Sequence, residues 1–244
     1  MSKKYRYSVK NRQKSLDIRL RPHLTFTNFE VGDNSLVIST LVGCVNQQDH
    51  HRAVYLWGKS GVGKSHLVNA TLNYFQHYQR KNTFYLSFTQ RPYLDVTIFN
   101  NVEQCPVIVL EDVHYLAHET AWQEQLFYLF NRVQETTGRL IFTATEPPHQ
   151  LQHILPDLVS RFSGAIVMQV KELSENQKIQ AFRTRVQAHG MQMSQPVMNF
   201  IFKHGPRDLP YLFTLLEFLD QCSLSRQQRL TIPLVKEVMR ELSV

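Results

Sequence analysis

The residues with the clearest chemistry form one glycine-rich stretch in the first third of the chain. It fits the pattern G-x-x-x-x-G-K-[ST] at every position, as Gly58, Lys59, Ser60, Gly61, Val62, Gly63, Lys64 and Ser65. Glycines let backbone N–H groups wrap around phosphates, and the start of a helix adds a favourable dipole. Lys64 is suited to reach the β and γ phosphates, and Ser65 to ligate Mg²⁺. The stretch therefore predicts a site for a nucleotide and its metal ion.

Two adjacent carboxylates follow an apolar run further along the chain. Glu111 and Asp112 come directly after "PVIVL". Proteins with a phosphate loop usually carry Asp first and then a catalytic Glu, whereas this chain has the reverse order. The side chain of Glu is longer than that of Asp by one methylene group. Catalysis is sensitive to a displacement of about an ångström in the water that attacks the phosphate, so the order of the two residues matters. We predict that the pair serves metal binding and catalysis, and its competence in hydrolysis stays open.

Two arginines are candidates for contact with phosphate. Arg161 lies in "PDLVSRFSG", and Arg207 lies in "HGPRDLPYLF". Arginine makes bidentate contacts with phosphate and stabilises the charge on a transferring phosphoryl group. Taken alone, each of the two fits a surface ion pair better than a functional role.

Hydrophobic patterning predicts the elements that must position these side chains. Apolar runs predict strands at about 53–58, 82–88, 106–113, 138–148 and 165–170, with helices between them. From Ser174, which with Gln177 resembles a capping box, only helical periodicity remains. We therefore predict an α/β domain with a central parallel sheet over 22–170, a small all-helical domain over 171–244, and a flexible tail over 1–21.

Composition narrows the classes of function. The net charge of +7 is concentrated in residues 1–21, which hold eight basic side chains and one acidic one. The folded body is neutral and offers no sign of a basic DNA-binding face. The three cysteines lack metal-ligand spacing, and the apolar runs are too short to cross a bilayer. We expect a cytoplasmic protein that has no membrane partner.

Together these pieces resemble the AAA+ ATPases, and among them the bacterial DnaA group, over about residues 22–244. "TFTNFEVGDNS" resembles the box of that group that lies against adenine, and "GRLIFTATEPP" resembles its sensor-1 strand. The resemblance implies an AAA+ P-loop domain followed by a helical lid domain, with ADP or ATP and Mg²⁺ bound. It also implies Thr145 as the sensor residue, Arg161 in "LVSRF" as the arginine finger, and Arg207 in "GPRDL" as the sensor-2 arginine that reaches the nucleotide.

Within that group the chain resembles the short Hda-type regulators, through to "RLTIPLVKEVMREL" near its end. Because the sequence stops at Val244 after the predicted lid, we expect no helix-turn-helix domain that reads DNA. Such regulators begin with a clamp-docking peptide of the form Gln-Leu-x-Leu-x-Leu. Gln13, Leu16 and Ile18 stand at matching positions, although Lys14 replaces the second apolar residue. The implied partners are the DnaA initiator and the sliding clamp, while non-specific DNA contact through the tail and a homodimer stay open.

Three functions remain in view. The first is a regulator that docks on the clamp and presents Arg161 to the ATP site of DnaA, where an arginine supplied in trans speeds hydrolysis by about 10³–10⁵. The second is a stand-alone ATPase such as a helicase loader, supported by the complete loop. The third is a non-enzymatic adaptor between clamp and initiator. Of these functions, we expect that the chain activates the ATPase of a partner and is not itself a fast ATPase.

Overall fold

A computed structural model describes residues 24–46, 52–79, 82–226 and 229–242 of the chain. It confirms the predicted fold class, with a five-stranded parallel sheet, helices on both faces of that sheet, and a helical domain after it. The five strands have the bounds Ala53–Trp57 (β1), Thr83–Ser87 (β2), Val107–Glu111 (β3), Arg139–Ala144 (β4) and Ile166–Gln169 (β5).

The strands lie in the order β2-β3-β4-β1-β5, and every neighbouring pair is parallel. Residues of β1, β3 and β4 are buried along almost their whole length, as expected for central strands covered on both faces. The order reverses at β1, which lies between β4 and β5. In open α/β sheets ligands bind beyond the carboxyl ends of the strands near such a reversal, which here is the end where the glycine-rich loop follows β1.

Four helices cover the two faces of the sheet. One face packs against Ser35–Val45 (α1) and Lys64–Gln79 (α2), and the other against Thr120–Gln134 (α3) and Pro156–Ser163 (α4). Alternate residues of β1 pack on opposite faces of the sheet. Val54 and Leu56 lie in the apolar cluster with α1 and α2, and Tyr55 lies in the apolar cluster with α3 and α4. The strand periodicity of two therefore builds both halves of the core.

The helical domain has a core of its own. Its helices are Glu175–Ala188 (α5), Gln195–His204 (α6), Leu209–Arg226 (α7) and Ile232–Glu241 (α8). Their inward faces form a separate apolar cluster that includes Phe182, Ile201 and Leu216. Ser174 and Gln177 form the capping box at the start of α5, as the sequence predicts. In the described ranges no helix has both the length and the apolar character needed to cross a membrane.

All five strands are shorter than predicted, and the difference is largest for β4 and β3. The apolar pattern predicts that β3 runs to residue 113, but β3 ends at Glu111 because Asp112 is left-handed, with φ 62° and ψ 47°. β4 is predicted to run to residue 148, but it ends at Ala144, three residues before the double proline at Pro147 and Pro148. Periodicity locates such elements well, whereas a single residue of positive φ is invisible to it.

Candidate functional site

A cleft of 560 Å³ lies between the glycine-rich loop, the segment that leads into α1, and the helical domain. The loop residues from Ser60 to Ser65 line its floor, and Phe29 and Asn28 line one side. Helices α5 and α7 supply the opposite wall, through Ala181, Arg185, Phe213 and their neighbours. The cleft therefore occupies the end of the sheet where parallel strands point their carboxyl ends.

Glycine is required at two positions of the loop by both conformation and space. Gly61 has φ +80°, and a Cβ there would lie 2.5 Å from Pro210 Cγ of the helical domain. Gly63 has φ +104°, and a Cβ there would lie 2.8 Å from Phe29 Cε2. The loop thus turns sharply while its backbone approaches both walls of the cleft, which leaves its N–H groups available for a phosphate chain.

Lys64 is the first residue of α2, and its side chain is folded back onto the loop. Its Nζ donates hydrogen bonds to the carbonyl oxygens of Gly58 at 2.7 Å and Lys59 at 2.9 Å. Burial lowers the pKa of Lys64, and the carboxylates of Asp112 and Glu111 partly oppose that shift. The ammonium is therefore held at the centre of the loop, near two carboxylates and beneath the cleft.

Glu111 ends β3 and is almost fully buried. Burial raises the pKa of Glu111, while hydrogen bonding from Ser65 and from the Tyr85 hydroxyl partly lowers it. Tyr85 donates to Oε2, whereas Oε1 makes no hydrogen bond of ordinary geometry to any described residue. A buried carboxylate oxygen left in this way beside a serine hydroxyl fits a hard cation, so the pair Ser65 and Glu111 fits Mg²⁺.

Asp112 takes a different position from its neighbour. Its left-handed backbone turns the chain out of the sheet, and its amide N–H donates to the Thr143 hydroxyl on β4 at 2.9 Å. Its side chain lines the cleft, where burial raises the pKa of Asp112 and Lys64 opposes that rise. The reversed acid pair is therefore divided: the longer side chain lies inside the sheet edge, and the shorter one faces the cleft.

Thr145 also lines the cleft, just beyond the end of β4.

The sequence reasoning did not select His66, whose Nε2 lies 2.9 Å from the Thr25 carbonyl oxygen and 3.1 Å from Asn28 Oδ1. The Phe29 ring meets the His66 ring edge-on at 5.1 Å between centroids. His66 thus joins the wall that leads into α1 to the first turn of α2, and its place directly after the motif was the only signal for it.

Arg161 does not line the cleft. It lies exposed near the end of α4, with its guanidinium carbon 5.7 Å from the Phe127 ring centroid and 5.5 Å from that of Phe130. Both rings belong to α3. Among the described residues Arg161 has no hydrogen bond and no ion pair. The structure thus separates Arg161 from the residues of the glycine-rich loop.

Arg207 is also outside the cleft. Its Nη1 lies 3.3 Å from Glu175 Oε2 and its Nε donates to the Phe202 carbonyl oxygen at 3.2 Å, with 58% of the side chain exposed. The arginine that the helical domain places in the cleft wall is Arg185 on α5, stacked 5.5 Å from the Phe213 ring centroid. Sequence reasoning did not select Arg185, because contacts between α5 and α7 cannot be read from periodicity. Its interpretation of the aromatic stripe around Phe213 as core is confirmed, since Phe213 packs against the apolar cluster of the helical domain while it also lines the cleft.

The predicted clamp-binding residues Gln13, Leu16 and Ile18 lie outside the described part of the chain.

Within the described part of the chain, no group of three or more His, Cys, Asp or Glu side chains could hold a metal ion. A metal site at Ser65, Glu111 and Asp112 would therefore need phosphate oxygens or water to complete it, which is the usual arrangement for Mg²⁺ with a nucleotide.

Two family models match the chain. The model for the "Bacterial DnaA ATPAse domain" matches residues 20–169, and the model for "Hda, lid domain" matches residues 175–239. The two matches meet near the boundary between the α/β domain and the helical domain.

Solved structures of the same fold include domain III of the replication initiation protein DnaA from Thermotoga maritima. It has a TM-score of 0.77 at 19% identity, over 90% of this chain and 97% of that one. AMPPCP-bound DnaA from Aquifex aeolicus has a TM-score of 0.67 at 20% identity, over 82% and 66%. The Holliday junction branch migration motor RuvB of Thermotoga maritima has a TM-score of 0.60 at 16% identity, over 85% and 67%. At these identities the likeness concerns the fold.

Proposed function

Because the chain belongs to the bacterial DnaA ATPase-domain family, we propose that it is a nucleotide-binding negative regulator of replication initiation. In this proposal it binds ADP or ATP with Mg²⁺ and presents Arg161 to the ATP site of the DnaA initiator. The observation that carries the proposal is the separation of Arg161 from the cleft: an exposed arginine that does not line its own cleft suits contact with a second molecule.

In the proposed site the loop N–H groups and Lys64 hold the phosphates. Ser65 and Glu111 hold Mg²⁺, which neutralises phosphate charge when it is bound. Asp112 faces the same space and would orient water, with Thr145 beside it. Since Asp112 is one methylene shorter than the usual glutamate, we expect slow intrinsic hydrolysis. The nucleotide then acts chiefly on the shape of the protein and on the geometry of its partners.

The proposed chemistry takes place in the partner. A guanidinium brought to the γ-phosphate of ATP bound to DnaA stabilises charge in the transition state and speeds hydrolysis by about 10³–10⁵. The cation–π contacts of Arg161 with Phe127 and Phe130 support this role, because they hold the guanidinium without a hydrogen-bond acceptor and so leave its N–H donors for a phosphate.

The test follows hydrolysis of ATP bound to a purified bacterial DnaA, with clamp loaded on DNA. We expect the wild-type chain to accelerate hydrolysis and the Arg161→Ala variant to lose the acceleration while keeping nucleotide affinity. Arg183→Ala is the matched control, because Arg183 is an exposed arginine of α5 that pairs with Gln195 instead of carrying the proposed function. Full acceleration by Arg161→Ala would refute the mechanism.

A stand-alone ATPase is the second candidate, and the complete phosphate loop with two adjacent carboxylates favours it. Turnover by the chain alone, lost in Lys64→Ala and unaffected by DnaA, would favour that candidate over the regulator.

Clamp docking through Gln13, Leu16 and Ile18 is a separate part of the proposal. It is supported by the sequence pattern of a short peptide with apolar anchors, which suits an apolar groove. We expect the double variant Gln13→Ala, Leu16→Ala to lose affinity for the purified clamp in a titration. Unchanged affinity would remove clamp docking from the proposal and leave the action of Arg161 to be judged separately.

A further inference from the structure

We propose that the outer edge of β5 is a dimer interface, on which a second copy of this chain places its own β5 in the antiparallel direction. The two five-stranded sheets then form one continuous sheet, with a two-fold axis beside Met168. No residue of β5 lines the cleft, so the inference does not depend on the proposed function.

Within the described part of the chain, β5 has one edge that pairs with no strand. It comes last in the strand order, next to β1. Val170, directly after β5, donates its N–H to the Trp57 carbonyl oxygen at 2.7 Å. In a parallel pair alternate residues bond to the same neighbour, so the backbone groups of Val167 and Gln169 point away from β1. Both residues are exposed, Val167 to 38%.

The sequence of β5 does not protect this edge. Edge strands usually carry charged side chains, proline or a bulge that prevent pairing with another chain. No charged residue and no proline occurs between Arg161 and Lys171, a stretch that contains all of β5. By contrast, Arg80 and Lys81 precede β2, the strand at the other end of the sheet. The edge of β5 is therefore a ready template for a further strand.

Helix α1 lies beside this edge. Its start is tied to the end of β5, because the Asn34 side chain accepts from the Lys171 N–H at 2.7 Å and donates to the Lys171 carbonyl oxygen at 3.1 Å. Its end lies near the start of β4, where Arg139 Nε donates to the Cys44 carbonyl oxygen at 3.2 Å. The helix thus crosses the sheet from β5 to β4, with its first turn next to the edge.

The first turn of α1 adds apolar surface to the edge. No charged residue occurs between Asp33 and Asp49, and Leu36 is 67% exposed. Strand pairing alone would supply only a few backbone hydrogen bonds, each of small net value in water. The exposed apolar side chains of α1 supply the burial that a stable association requires.

The register follows from the residues that face outward. Val167 of one chain lies opposite Gln169 of the other, and each such pair exchanges two backbone hydrogen bonds. The two Met168 residues then face each other as a non-hydrogen-bonded pair, with Cα atoms about 4.5 Å apart. The Met168 side chain packs on the face that α1 covers. An axis perpendicular to the sheet therefore brings both α1 helices to that face, on either side of the seam.

A second copy suits this edge because its strand is equally uncharged and its α1 brings the same exposed apolar surface. The antiparallel direction also keeps like charges apart. Lys171 lies three residues from the axis, so the two lysines are separated by about 20 Å along the strands. A parallel arrangement of the two strands would place them side by side.

The first test is disulfide cross-linking of the full chain with one added cysteine. Met168→Cys should form a covalent dimer under mild oxidation, because a Cα separation of about 4.5 Å lies within disulfide range. Val167→Cys is the control, since the two copies of that residue are diagonal neighbours about 7–8 Å apart, too far to be bridged. The wild-type chain measures the background from Cys44, Cys105 and Cys222.

The second test is the dimer dissociation constant, measured by sedimentation of the full chain over a range of concentrations. Val167→Lys places a charge on each side of the seam and should raise the constant by at least about tenfold. Phe218→Lys places the same charge on α7, at a site that is 40% exposed, and should leave the constant unchanged.

Three results would overturn the proposal. A wild-type chain that stays monomeric at about 100 μM would show that a second copy does not occupy this edge. A dimer that Val167→Lys does not weaken would place the interface elsewhere. Equal cross-linking by Met168→Cys and Val167→Cys would refute the antiparallel register. If Val167→Lys fails to fold, as judged by its melting temperature, the cross-linking result decides.

Discussion

At the scale of single residues, the most unusual group is the buried carboxyl of Glu111. One of its oxygens accepts a hydrogen bond from Tyr85 on the neighbouring strand, and the other has no ordinary hydrogen bond among the described residues. Burying a carboxyl group costs free energy unless hydrogen bonds or a cation stabilise it. Tyr85 therefore matters for the stability of the metal-free protein.

We predict that Tyr85→Phe destabilises the metal-free chain. The variant removes the hydroxyl that donates to a buried acidic group, and this lowers the free energy of unfolding by about 1.5–3 kcal/mol. In a chain of this size each kcal/mol lowers the melting temperature by roughly 2–4 °C. Thermal unfolding with a chelator present measures the change. Tyr115→Phe is the control because Tyr115 is 51% exposed, and it should melt like the wild type. Equal melting temperatures for all three proteins would contradict the role given to Tyr85.

The sequence predicts some of these residues well and others not at all. The loop from Gly58 to Ser65 is local, so its spacing alone indicates phosphate chemistry. Tyr85 joins Glu111 only because β2 pairs with β3, and Arg185 joins the cleft only because α5 packs on α7. Such contacts depend on which elements become neighbours in space, which no periodicity within one segment encodes.

At the scale of elements, Gln123 of α3 fixes the start of α4. Its amide nitrogen donates to the Leu116 carbonyl oxygen at 2.7 Å and to that of His153 at 2.9 Å. Its amide oxygen accepts from the Leu155 N–H at 2.6 Å, directly before α4 begins. One buried side chain thereby ties three segments together and sets where the helix of Arg161 starts.

We predict that Gln123→Leu destabilises the α/β domain by about 2–4 kcal/mol. It leaves the Leu155 N–H without its acceptor and removes one of the two hydrogen bonds at each of the Leu116 and His153 carbonyl oxygens, which keep those from the Glu119 and His118 N–H groups. The melting temperature should fall by roughly 5 °C or more. Gln125→Leu makes the same chemical change two residues away, at a half-buried site whose side chain has no hydrogen bond to any described residue, and should change little. A fall of equal size in both variants would show that the loss does not come from the three hydrogen bonds.

Helix and strand positions were the part of the fold most accessible from sequence. The predicted helix at 156–163 coincides with α4, and the predicted sheet strands all form. Their ends were less accessible, as at Asp112, where the chain leaves the sheet through a left-handed residue held by Thr143. A local pattern cannot anticipate a hydrogen bond that comes from another strand.

At the scale of the whole molecule, a row of ion pairs crosses from the loop to the helical domain. Lys59 contacts Glu172 at 3.4 Å, Lys178 contacts Glu172 at 3.3 Å and Glu175 at 3.1 Å, and Arg207 contacts Glu175. Hydrogen bonding from Lys178 is the largest cause that lowers the pKa of both glutamates. Lys178 is the centre of this row.

We predict that Lys178→Ala lowers stability slightly, and only where the glutamates are ionised. Since their pKa values are lowered in the folded chain, their contribution is present above the ordinary glutamate pKa of about 4.3 and is lost as pH falls through the lowered values. The raised pKa of Lys178 concerns only the alkaline range. Melting temperatures of wild type and variant should differ at pH 7 by less than the Tyr85→Phe effect and converge near pH 3. A difference that persists near pH 3 would contradict this assignment.

The separation of Arg161 from the cleft also has a consequence for symmetry. If Arg161 of one molecule enters the cleft of another, the contact joins two unlike surfaces, and it is either made twice across a two-fold axis or repeated head-to-tail from one molecule to the next. Head-to-tail contacts continue into rings or filaments unless one end is blocked. A chain that offers its arginine to a DnaA subunit in this way keeps its own cleft unengaged, and it would stand as the terminal unit of the row that it joins.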